Sequence, residues 1–371
     1  MASPTTRKAV RGIATGVVVG AVVLAIADAV RPRPGEARLV DWEEIAARAK
    51  ARLPLEVTAG PARRRRLAAE YNRLAAEVEG PFLRAVGGLP SGVTLPAFDA
   101  LDRHGWVDLN IGILRDAMEP MLELQARLPN SRLIETGRAL MDRYVGLILG
   151  FLSRRVLGQY DPQLLVSEPR AVPGLYLVEP NIQEWEEEAD LPGEALRRWL
   201  ILHEMTHAWQ FAAHPWLRDH MNGMLRHLLG SALDSGASSL DRLLSITIGA
   251  WRQWGVIGRV QSTMSLVEGY SNLVMDLVGS KELPEFERLE EAYQRRSGQK
   301  SVFEFAFWKL TGLEMKLQQY VVGERFCRHV YDARGMEYLN RAWESPDTLP
   351  SAAELRNPDA WMTRIDELAA A

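Results

Sequence analysis

Leu202-His203-Glu204-Met205-Thr206-His207-Ala208-Trp209-Gln210 decides how this chain is read, because it sets H-E-x-x-H inside a segment of helical pattern. On a helix, side chains four apart stack on one face, so His203 and His207 can offer imidazole nitrogens to a single metal ion. Glu204 then lies beside that ion, where a carboxylate can act as a general base without ligating it. The flanks point to burial: Trp199, Leu200, Ile201, Ala208, Trp209 and Phe211 are all apolar. A surface helix carrying two solvated histidines would not need such neighbours. Unpartnered imidazoles in a buried helix carry a penalty of several kcal/mol, which a metal removes.

A catalytic zinc site has three protein ligands and an open fourth position for water. The metzincin pattern is excluded, since it needs a glycine at 210 and a histidine at 213 where this chain has Gln210 and Ala213. His214 and His220 follow closely, in a stretch broken by Pro215, and either could bend back. The better candidate is Glu268, in Ser265-Leu266-Val267-Glu268-Gly269-Tyr270-Ser271-Asn272-Leu273-Val274-Met275-Asp276. This stretch has helical periodicity, yet carries a carboxylate in its most apolar part. Gly269 follows at a helix-propensity cost of about 1 kcal/mol relative to alanine. Close packing against the His203 helix would justify that glycine. A structural ion pair between Glu268 and an arginine such as Arg259 or Arg295 is the competing reading.

Several runs together resemble the zincin-like metallopeptidase type 2 family: H-E-M-T-H-A-W-Q-F, the E-G-Y-S-N-L-V-M-D helix, L-G-Q-Y-D-P at Leu157 to Pro162, and the tail from Gly312 to Trp361. In that tail, G-L-E-M-K-L-Q-Q-Y-V-V-G and L-P-S-A-A-E-L-R-N-P-D-A-W carry the likeness. The resemblance runs from about Val40 to about Ile365, in a family often linked by name to coenzyme F420 biosynthesis. It implies a zincin-like fold and metallopeptidase activity, and it supports Glu268 as third ligand. It supplies no substrate. One departure stands out: common glutamate zincins carry an aspartate four residues after the ligand, where this chain has Asn272, with Asp276 one turn further. Which of the two orients a ligating histidine is left open.

Composition sets the frame. The chain has 371 residues, 47% hydrophobic and 25% charged, which suits a globular protein with a large core. Its net charge of -4 argues against nucleic-acid binding. Arg63 to Arg66 open a stretch whose Leu67, Tyr71, Leu74 and Val78 form a helical stripe, so this basic run reads as a solvated helix face. Glu184 to Glu188 reads as a solvated loop or helix start. Cys327 is the single cysteine and forms no internal disulfide.

Residues 1 to 39 read as an N-terminal extension and 40 to 371 as the zincin-like domain. Gly12 to Ala27 is uncharged and almost wholly apolar, with Arg7, Lys8 and Arg11 before it and Asp28, Arg31 and Arg33 after. Extended to residues 9 to 30 with snorkelling flanks, it reaches the span of about 20 residues that a transmembrane helix needs. The expectation is membrane anchoring, against a cleaved signal peptide at Ala25-Ile26-Ala27, a helix of the fold, or a cytoplasmic chain.

The domain reads as mainly helical, its first half to about residue 170 wholly so, with helices over Trp42 to Leu53, Arg63 to Glu79, Trp106 to Leu128 and Ile134 to Leu157. Gly174 to Asn181 is the clearest strand, a small β element upstream of the metal helix. It is expected either to form the cleft rim and pair with an extended substrate, or to be a plain structural hairpin. Helices resume over Asp241 to Trp254, Val260 to Val278, Phe303 to Tyr331 and Met336 to Trp343.

The function these readings converge on is zinc-dependent hydrolysis of a peptide or protein substrate. His203, His207 and Glu268 hold Zn2+, and Glu204 moves the proton. Tyr320 is the expected oxyanion donor, with Tyr270 as alternative. Two other classes compete: a silent zinc-containing binding or scaffold protein, against which the retained Glu204 argues, and a zinc amidohydrolase acting on a non-peptide amide.

Overall fold

The computed structural model describes residues 40–51, 53–54, 60–125, 132–166, 174–233, 239–298 and 314–370. The candidate membrane segment at 9 to 30 lies outside them. Among the described residues no helix is long and apolar enough to cross a membrane.

Helix α1 (Trp42–Lys50) is capped by Asp41, whose Oδ1 accepts from Glu44 N–H at 3.0 Å. Helix α2 (Pro61–Val86) starts on a proline and runs on through Pro81, beyond the expected end at Glu79. It stops at Gly87, whose φ of 89° is open to glycine at little cost. Its stripe of Tyr71, Leu74, Val78, Phe82 and Val86 is buried. Strand β1 (Phe98–Leu101) follows, then α3 (Arg103–Gln125), α4 (Arg132–Leu152), strand β2 (Gly158–Asp161), strand β3 (Gly174–Val178) and α5 (Glu179–Glu188). The acidic run 184–188 is thus the second half of a helix.

The three strands form one sheet in the order β1-β3-β2, with β1 parallel and β2 antiparallel to β3. The first half is therefore helical but not wholly so. β1 and β2 are four residues each, too short for periodicity to reveal. The expected cleft rim also shifts. β3 is paired on both edges and has none left for an incoming chain, whereas β2, at the end of the sheet, lies against the metal helix.

That helix is α6 (Gly193–Ala213). Between Trp199 and Gln210 every residue except His203 is buried, so α6 is a central helix with neighbours all round rather than an amphipathic surface one. It is followed by α7 (Pro215–Leu233) and α8 (Ser239–Glu282), a single helix of 44 residues where two were expected. Then come α9 (Phe286–Gly298), α10 (Glu314–Asn340) and the terminal α11 (Pro358–Ala370). Helix α6 packs against α2, α8 and β2. A buried ion pair ties these layers: Arg197 of α6 and the Tyr71 hydroxyl both donate to Glu179, the first residue of α5.

The glycine beside Glu268 has another use than the one expected. A Cβ on Gly269 would stand 2.2 Å from the carbonyl carbon of Gly323, and one on Gly323 would stand 1.8 Å from the Ser265 oxygen. The close approach is thus between α8 and α10, not between α8 and the His203 helix. Two facing glycines let those backbones touch one turn from Glu268.

Candidate metal centre

His203 and His207 project from one face of α6, one helical turn apart. Their Nε2 atoms are 3.2 Å apart and their rings nearly perpendicular, at 85°. Glu268 comes across from α8 and brings Oε2 to 3.7 Å from His207 Nε2 and 3.9 Å from His203 Nε2. One donor atom from each of the three residues lies within 4.8 Å of the others.

These residues fit a metal ion. Zinc sits about 2 Å from each nitrogen or oxygen ligand, so tetrahedral donors should be about 3.3 Å apart, close to what is seen. Glu268 Oε2 is buried and has no hydrogen-bond partner. No arginine or lysine pairs with Glu268 among the described residues, so the structural ion pair is not what holds it; Arg295 lies beside Glu291 instead. A buried carboxylate facing two imidazole nitrogens, with no cation of the protein beside it, is the arrangement that a metal completes.

The electrostatics are those of a dry site. Burial pushes the Glu268 carboxyl up to about 8 and pulls His207 down to about 4. Glu204 is raised well above the usual carboxylate range, first by burial and then by the Glu268 charge, while the Tyr160 backbone N–H donates to it and pulls the other way. Glu204 Oε2 has no partner. The side chains of His207 and Glu268 are 5% and 2% exposed and that of His203 13%, so solvent reaches the centre from the His203 side.

His214 turns away: its Nδ1 contacts the Gln210 carbonyl at 3.0 Å, and its ring packs on Trp209 and Trp343. His220 packs on Trp216. Tyr270 is a core residue stacked on Trp209, its hydroxyl donating to Asn340 Oδ1 at 2.7 Å. Tyr320 lies on α10, but its side chain is outside the described residues. Asn272 reaches Glu324 at 3.5 Å, and Asp276 pairs with Arg328 at 2.6 Å. The histidine Nδ1 atoms meet other groups, Met275 Sδ at 3.1 Å from His203 and Gln210 Oε1 at 3.0 Å from His207. Sequence reasoning missed Gly158, Tyr160 and Gln210. The first two stood in the L-G-Q-Y-D-P run, and Gln210 stood one helical turn from His207.

A model of a family described as zincin-like metallopeptidase matches residues 40–362. A solved structure from Chloroflexus aurantiacus, described as a candidate hydrolase with a novel fold, is 34% identical to this chain. The similarity covers 88% of this chain and 99% of that one, with a TM-score of 0.65. No curated protein matches the chain.

Proposed function

The chain belongs to the zincin-like metallopeptidase family, and from that premise we propose that it hydrolyses peptide bonds with zinc held by His203, His207 and Glu268 and with Glu204 as general base. The observation that carries this reading is the buried, unpartnered Oε2 of Glu204 on the residue next to His203. A site built only to hold structure has no use for such an oxygen.

Zinc bound there supplies Lewis acidity, polarising a carbonyl oxygen and lowering the pKa of water. Glu204 accepts a proton from the attacking water on a carboxylate oxygen and delivers it to the leaving amine nitrogen. Burial raises its pKa, which makes it a stronger base toward the attacking water than a solvated carboxylate. The Tyr160 N–H fixes the carboxylate so that it need not reorganise during transfer. The apolar helix flanks around it keep bulk water out, leaving the His203 side as the way in. Tyr320 remains our proposed donor to the oxyanion.

Near-complete burial of the centre favours a second reading at the same site: the amide belongs to a small molecule. The two are separated by incubating zinc-loaded protein with a peptide library and with small N-acyl amides, beside its Glu204→Gln variant. Cleavage of either class by the native protein but not by the variant assigns the substrate. Equal turnover by both proteins rejects Glu204 as base. We also propose that residues 9 to 30 hold the domain at a membrane.

A further inference from the structure

Gln210 is fully buried on α6, three residues beyond His207. Its Nε2 donates to the Val267 carbonyl at 2.8 Å, and its Oε1 lies 3.0 Å from His207 Nδ1. A backbone carbonyl can only accept, so the amide end facing Val267 must be the NH2. The end facing His207 is then the carbonyl oxygen, which also only accepts. His207 must therefore carry its proton on Nδ1, leaving the Nε2 lone pair free toward His203 and Glu268.

The reverse amide orientation would set two acceptors, the amide oxygen and the Val267 carbonyl, against each other at 2.8 Å. A free neutral histidine side chain prefers the opposite tautomer, with the proton on Nε2, which would block the metal-facing nitrogen. Val267 also immediately precedes Glu268, so one side chain links the histidine helix to the backbone that carries the carboxylate.

From this we infer that Gln210 is a positioning residue of the metal centre: it locks His207 in the ligating tautomer and holds α6 and α8 at the separation at which His207 and Glu268 share an ion. The inference rests on the metal site proposed above but not on the reaction. It takes the part that carboxylates often play beside zinc-bound histidines, and it does so with a neutral group.

The test uses the full chain, stripped with a chelator and reloaded with zinc, in native, Gln210→Met and Gln210→Glu forms. Imidazole nitrogen chemical shifts, assigned with a His207→Ala variant, report the tautomer without any substrate. We expect native metal-free protein to show His207 protonated on Nδ1. Gln210→Met, similar in size but without the amide acceptor, should shift it toward the Nε2–H form and weaken zinc binding about 10–100-fold. Gln210→Glu, which keeps an acceptor toward His207 but loses the donor to Val267, should restore the Nδ1–H tautomer and not the full zinc affinity. An Nε2–H His207 in the native metal-free protein overturns the inference whatever the variants do, and so does a Gln210→Met protein that keeps the native tautomer and the native zinc affinity. Tight zinc binding and the expected tautomers without any hydrolysis would strike only the proposed reaction.

Discussion

Gly158 and Glu204 share a space that admits only one side chain: a Cβ on residue 158 would lie 2.6 Å from Glu204 Oε1 and 2.8 Å from its Cγ. Strand β2 passes directly behind the carboxylate, and the Tyr160 N–H, two residues on, donates to it. The absent side chain at 158 and the amide at 160 thus aim Glu204 together. Gly158→Ala should leave zinc content unchanged and depress hydrolysis nearly as far as Glu204→Gln does, about 10²–10⁴-fold for a lost general base. Metal analysis beside the rate decides it. Native turnover in a folded Gly158→Ala protein would show that Glu204 can work from elsewhere.

Zinc should be present at one ion per chain and be lost from His203→Ala, His207→Ala and Glu268→Ala, while His214→Ala keeps it. The basis is the convergence of three donor atoms within 4.8 Å and the rotation of His214 onto Trp209 and Trp343. Metal content of the purified variants is the measurement. Full occupancy in Glu268→Ala would return the third ligand to the histidines.

The contact of Gly323 with Ser265 predicts a second kind of failure. A methyl group 1.8 Å from a backbone oxygen cannot be absorbed by a rotamer change, so Gly323→Ala must push α10 off α8. Overpacking of side chains costs about 1–3 kcal/mol, and a clash on backbone belongs at or above the top of that range. Because Ser265 lies on α8 one turn before Glu268, zinc affinity should fall together with the melting temperature. A melting temperature within error of native would show that the crossing is looser than described.

His203, His207 and Glu204 were legible because the helical period alone places them together. Glu268 was legible as an anomaly, a carboxylate in an apolar helix. What escaped depends on tertiary approach. Gly269 announced a close contact, but the helix expected to make it, that of His203, was the wrong one, and Gly158 looked like part of a motif with no stated purpose. β1 and β2 were missed because four residues are too few for alternation to show, and β2 is buried along its whole length. The break expected between Trp254 and Val260 is absent, since no proline interrupts α8 and its two halves simply join.

If residues 9 to 30 anchor the domain, the full chain should sediment with membranes and be released by detergent, while a chain beginning at Val40 stays in the supernatant. The uncharged run from Gly12 to Ala27 between basic flanks motivates this. Fractionation of cells expressing each form reads it out. Both forms in the supernatant without detergent would remove the anchor.

The last prediction concerns pH in the metal-stripped protein. Burial raises Glu268 from 4.5 to about 8, so the folded state holds a proton there that the unfolded chain gives up. A raised pKa contributes stability that is complete below 4.5 and is lost as pH rises through about 8. His207 acts oppositely. Lowered from 6.5 to about 4, it contributes stability above 6.5 that is lost as pH falls through 4. On these two groups the contributions oppose each other up to pH 6.5, so stripped protein should melt progressively lower from there to pH 8, and Glu268→Gln, which cannot titrate, should lack that fall. Zinc must displace the Glu268 proton to bind, so its affinity should climb with pH up to about 8, with proton release measurable in buffers of different ionisation enthalpy. Identical slopes for native and Glu268→Gln stripped proteins would mean that Glu268 is ionised in the metal-free fold, and that some cationic group reaches it when the metal leaves.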